Sequence, residues 1–214
     1  MANAKKTIIM AFNQTTEPND ESILEIVDDF TYLGSLVSYS RADIKRRITL
    51  TWVAANKLSK IWKSSLSKEF KLRLFCSTVE SVFLYGCETW TITKELEKKL
   101  NGCYTKLLRF VQSYSWKDHI CNSTLYGKLP KVTEKIRQRR LKLVGHCLRH
   151  KEEMAHNLVC WSPTYGKRKR GKPAMTFVRQ VEADTELTIE EVKVLAEDRK
   201  AWRLLTGRGN TTPT

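Results

Sequence analysis

The sequence predicts a mainly α-helical fold: a short N-terminal antiparallel β-hairpin region, a three-helix bundle, and a second, basic helical unit. Three observations carry that prediction. The first forty residues mix β-prone runs with turn chemistry, apolar residues from Asp43 onward recur at helical spacing, and Ser67 and Thr93 stand as capping residues before apolar runs.

Taken in order, Thr7 to Phe12 is β-prone, Glu17-Pro18-Asn19-Asp20 is turn chemistry, and Ile23 to Val37 is β-rich alternation closing near Gly34. Ile44, Ile48, Thr51, Ala55, Leu58 and Trp62 then form one helical stripe, with Lys45, Arg46, Arg47 and Lys57 largely off it. A second helix is expected from Ser67 through Leu72, Phe75, Val79 and Phe83 to Gly86. A third follows Thr93 with Leu96, Leu100, Cys103 and Leu107 on one side. Beyond Ser113, a short helix around Thr124 to Leu129 stops at Pro130. A longer one, marked by Val132, Ile136, Leu143, Val144 and Cys147, carries Lys135, Arg137, Arg139, Arg140, Lys142 and Arg149. Helices near Met175 to Ala183 and Thr188 to Leu205 end the fold. The expected units are 1–40, 41–114, 115–206 and a loose tail, 207–214.

Composition narrows the function classes. With 214 residues, 41% apolar and 29% charged, the chain has material for one or two modest cores. Its longest apolar run, Val82 to Cys87, falls far short of the roughly 18 residues of a membrane helix, and Ile8 to Phe12 is too brief for a secretory signal. Six scattered cysteines form no CxxC pair, as expected of reduced thiols in an intracellular protein. The formal net charge is +15. Between Lys117 and Lys172, fifteen Lys/Arg face four Asp/Glu, so a surplus of 11 sits in that stretch and points to a polyanionic partner, RNA or DNA.

Two features sharpen that reading. The short helix, turn and long basic helix are helix-turn-helix-like. Lys167, Arg168, Lys169, Arg170 and Lys172 sit in a loop bounded by Gly166 and Pro173, where five cations in six positions favour phosphate contacts over base reading. That loop also suits a nuclear-import address, so a nuclear location is expected. Cys147, His150, His156 and Cys160 supply four potential zinc ligands, but their spacing matches no usual structural zinc pattern and no metal site is expected. Nucleophilic catalysis finds no Gly-x-Ser-x-Gly elbow and no Walker loop.

Several segments together carry a resemblance: Asn3 with Lys6-Thr7, Tyr32-Leu33-Gly34-Ser35, Leu84 to Trp90, Arg139-Arg140-Leu141 with Gly145-His146 and Arg149, the Gly166 to Pro173 loop, and Asp198-Arg199 with Trp202-Arg203. In order and spacing, from about Asn3 to Thr206, they resemble the end of the palm, the thumb and the C-terminal region of RTE-like non-LTR retrotransposon endonuclease-reverse transcriptases.

The resemblance implies roles for matching positions. Lys6 would be the lysine beside the departing pyrophosphate in an intact polymerase. Tyr32, Leu33 and Gly34 would form a primer-grip-like hairpin in a palm remnant over 1–40. The 41–114 bundle would be the thumb, tracking a template-primer hybrid through Lys45, Arg46 and Lys57. The 115–206 region would hold element RNA or target DNA through Lys135, Arg139, Arg140, Lys142 and Arg149. The paired aspartates that hold two divalent metal ions would lie before Met1, and Asp28-Asp29 falls on the wrong side of the Lys6-Thr7 segment to replace them. The chain is therefore expected to be a fragment of an RNA-directed DNA polymerase, without catalysis or cofactor of its own. The alternatives are a stand-alone, domesticated helix-turn-helix-like nucleic-acid-binding protein and a decayed copy.

Overall fold

The computed structural model describes residues 8–9, 25–26, 30–36, 39–161 and 175–207. Helices dominate, as expected. At the N-terminal end β3 (Thr31–Tyr32) and β4 (Ser35–Leu36) form the predicted antiparallel hairpin, paired Thr31 to Leu36 and Tyr32 to Ser35. The other strand pair, β1 (Ile8–Ile9) with β2 (Glu25–Ile26), runs parallel instead of antiparallel. The turn predicted at Glu17 to Asp20 lies outside the described residues.

The hairpin turn is local chemistry under strain. Leu33 and Gly34 both take positive φ, 46° and 82°, the requirement of a two-residue turn whose twist matches the strands. Glycine meets that without penalty. Leucine does not.

Helix α1 (Ser40–Lys57) follows, continued after a break at Leu58 by α2 (Ser59–Trp62). The predicted stripe is the buried one: Ile44, Thr51, Ala55 and Trp62 are buried, and the Trp62 indole donates to the Ala55 carbonyl at 2.7 Å. The single helix expected over Ser67 to Gly86 divides into α3 (Lys68–Ser77) and α4 (Val79–Phe83). Thr78 lies at the division, and its hydroxyl donates to the Leu74 carbonyl at 2.6 Å, the back-bonding that bends helices. Caps fall where expected: Ser67 accepts from the Phe70 amide, and Thr93 accepts from the Leu96 amide to start α5 (Lys94–Val111). Helices α1, α3, α4 and α5 pack on one another around Phe75, Val79, Phe83, Leu100, Tyr104 and Leu107.

After α6 (Asn122–Tyr126), α7 (Val132–Arg149) ties the molecule together. Its first half puts Val132 and Ile136 into the core just described. Its second half puts Leu141, Val144 and Leu148 into another, with Val181 of α9 (Phe177–Thr185), Val192 and Ala196 of α10 (Ile189–Glu197), and Trp202 of α11 (Arg199–Leu205). Helix α8 (Met154–Val159) also packs on α7. The helix expected from Thr188 to Leu205 breaks at Asp198, whose carboxylate accepts the Lys200 amide at 2.7 Å and caps α11.

Candidate nucleic-acid interface

Hairpin and helix bundle meet through arginines. Arg47 was read as lying off the packing stripe, yet it is buried: its guanidinium donates to the Gly34 carbonyl and stacks 4.4 Å from the Tyr85 ring centre. Arg46, expected to face phosphate, also donates to the Gly34 carbonyl, at 2.5 Å, and the Tyr85 hydroxyl donates to the Leu33 carbonyl at 2.7 Å. Gly86 passes so close beneath that a Cβ there would lie 2.6 Å from Ser35 Oγ. These contacts hold Tyr32 and Leu33 outward, 61% and 74% exposed, while Lys45 and Lys57 are exposed along α1. Two arginines therefore converge on the Gly34 carbonyl of the predicted primer-grip-like hairpin.

The basic helix α7 differs more from expectation. Arg140 is 1% exposed, forms an ion pair with Asp184 and donates to the Trp90 carbonyl at 2.8 Å, so its guanidinium is closed to any phosphate. Lys135 pairs with Glu80, which also accepts from the Tyr104 hydroxyl. Burial and the Glu80 charge push the Tyr104 phenol far above its ordinary range. Arg137 donates to the Asp184 carbonyl at 2.7 Å, and Arg139 reaches the Leu84 carbonyl at 3.2 Å, with Glu88 3.7 Å away. Helix α7 is packed on by α5, α8, α9, α10 and the 3₁₀ turn Cys87–Thr89. These contacts leave Arg139, Lys142 and His146 as the exposed residues of α7.

What remains open on α7 is narrower. Lys142 and His146 are exposed, and Arg149 is half-buried. Across from them α11 presents Arg199 and Arg203. Lys142, Arg199 and Arg203 form no ion pair among the described residues. The α11 arginines were missed as site residues, although their i, i+4 spacing around Trp202 puts them on one helix face. Lys6 and the Lys167, Arg168, Lys169, Arg170 and Lys172 loop lie outside the described residues.

The zinc candidates do not gather. Among the described residues no group of three or more His, Cys, Asp or Glu side chains is arranged to hold a metal ion. His156 Nδ1 lies 3.3 Å from the Cys147 carbonyl, and the Cys147 thiol is raised chiefly by burial. No described helix is long and apolar enough to cross a membrane.

The geometry is that of a helical protein in which several cations on α1, α7 and α11 form no ion pair among the described residues. Over 212 aligned residues the chain is 27% identical to a Caenorhabditis elegans protein whose name describes it as transposon-derived, a match that covers 91% of this chain and 75% of that protein. The similarity supports a transposon-related origin. No protein-family description and no solved structure matches the chain.

Proposed function

We propose that this chain is the thumb and C-terminal part of an RTE-like retrotransposon reverse transcriptase, and that it binds the backbone of RNA or DNA without polymerase chemistry of its own. The observation that carries the reading is a charge surplus surviving internal pairing: Lys45 and Lys57 on α1, Lys142 on α7, and Arg199 and Arg203 on α11 have no acidic partner among the described residues. Unpaired cations of this kind suit phosphate contacts, which position a duplex without reading its sequence. Tyr32 and Leu33, held outward by Arg46, Arg47 and Tyr85, suit contact with a primer end. The transposon-derived relative agrees with the origin proposed. The Lys167 to Lys172 loop adds phosphate contacts and nuclear import.

Fluorescence anisotropy with a labelled RNA–DNA hybrid tests the reading. Binding with weak sequence preference is expected, with affinity falling steeply as salt rises. Affinity indifferent to salt, or extension of a primer by the purified chain, overturns it.

A further inference from the structure

We propose that the cavity between α7 and α11 is a pocket for one backbone phosphate of a bound nucleic acid, seated against Arg149 and gripped by Lys142, Arg199 and Arg203. The proposal rests on the nucleic-acid-binding reading and adds the place where a phosphate sits.

The cavity holds about 230 Å³, and its walls combine Lys142, His146, Arg149, Arg199 and Arg203 with Trp202 and no carboxylate. Four permanent cations around one hollow repel one another, and an entering anion relieves that repulsion. Arg149 shows the effect. Its Nη1 donates to the Ala196 carbonyl at 3.0 Å, whereas its Nε, like those of Arg47 and Arg140, is shut off from water and has no partner among the described residues. Burial first, then the charges of Arg199 and Arg203, hold its pKa below the usual guanidinium range. The buried arginines Arg47 and Arg140 face Asp43 and Asp184, whereas the half-buried Arg149 faces further arginines.

The pocket is fixed by packing. The Trp202 indole lies against Gly145 and donates to the Leu141 carbonyl at 3.0 Å, which sets α11 at a defined distance from α7. Guanidinium forks match the several oxygens of a phosphate. Lys142 and His146 also line a second hollow of about 650 Å³ that reaches Arg139. The two share the Lys142 and His146 wall, while at the far end of the second hollow Arg139 has Glu88 3.7 Å away.

The test compares the full chain with Arg199→Gln/Arg203→Gln and with Lys193→Gln/Lys200→Gln, which removes equal charge outside the pocket. Binding of a 20-base-pair RNA–DNA hybrid is followed by anisotropy across salt. Inorganic phosphate is titrated in parallel by thermal shift. Expected is a loss of about tenfold in hybrid affinity and a salt slope smaller by about 2 for the pocket variant, with a far smaller loss for the control. Equal weakening of both variants overturns the pocket while leaving nucleic-acid binding standing. A wild-type chain that binds no hybrid, yet is stabilised by inorganic phosphate only when Arg199 and Arg203 are present, overturns the backbone as the source of the phosphate. Absence of both responses overturns pocket and function together.

Discussion

Gly145→Ala and Gly102→Ala are the same substitution in two long helices, and the structure assigns them opposite signs. In an exposed helix interior, alanine is more stable than glycine by about 1 kcal/mol because it restricts the unfolded chain. Gly102 in α5 meets that condition: nothing lies within 4 Å of the added methyl, so a gain of about 0.5–1 kcal/mol is expected. At Gly145 the methyl would sit 2.7 Å from Cδ1 and Cε2 of Trp202, and closer still to Nε1. An indole 4% exposed and locked among Leu141, Val144 and Val192 has little room to retreat. Overpacking costs about 1–3 kcal/mol, and loss of the Nε1 bond to Leu141 costs about 1–3 kcal/mol more by orphaning a buried donor. Set against the propensity gain of about 1 kcal/mol, the net effect is a loss of about 1–5 kcal/mol. Urea unfolding of both variants beside the parent reads it directly. A midpoint for Gly145→Ala at or above the parent's would refute the packing of α11 on α7, and with it the geometry of the phosphate pocket.

Three further outcomes are expected. Arg140→Met should destabilise the chain by about 3–5 kcal/mol by stranding Asp184, with partial recovery in the Arg140→Met/Asp184→Leu double variant. Thermal unfolding checks this, and a variant that keeps its stability but loses nucleic-acid affinity would return Arg140 to the interface. Cys121, exposed and pulled down to about 7 by hydrogen bonds from Ser123 and Thr124, should be the first thiol alkylated by iodoacetamide, with a half-maximal rate near pH 7. Cys87, buried and pushed up to about 12, should stay unmodified until the chain unfolds, as peptide mass spectrometry would show. Leu33→Asn should relieve left-handed strain of about 1 kcal/mol and slow hydrogen exchange at the Leu36 amide, which donates to Asp43. It should also weaken hybrid binding by removing an exposed apolar contact. Faster exchange at Leu36 would count against the turn described.

Periodicity made the helices legible because burial along one stripe leaves a local record: Ile44, Thr51, Ala55 and Trp62 were placed correctly from spacing alone. Caps were equally local, and Ser67 and Thr93 accept the amides expected of them. Breaks at Thr78 and Asp198 were not legible, since the helical pattern runs through both and each interruption depends on one side chain bonding the backbone. The parallel pairing of β1 with β2 had no local signature either, because register between distant strands is not written in either strand.

By itself the sequence determined the helical fold class, the excess of positive charge and the stretch that carries it. Only tertiary structure decided which cations remain open. Arg140 and Lys135 look like their neighbours on α7, yet Asp184 and Glu80, 44 and 55 residues away, close over them, while Arg199 and Arg203 on α11 have no such partner among the described residues. The reason is physical: a charge inside the fold needs a counter-charge, and folding supplies one from any distance along the chain, so composition counts the charges and packing selects those left to meet a partner.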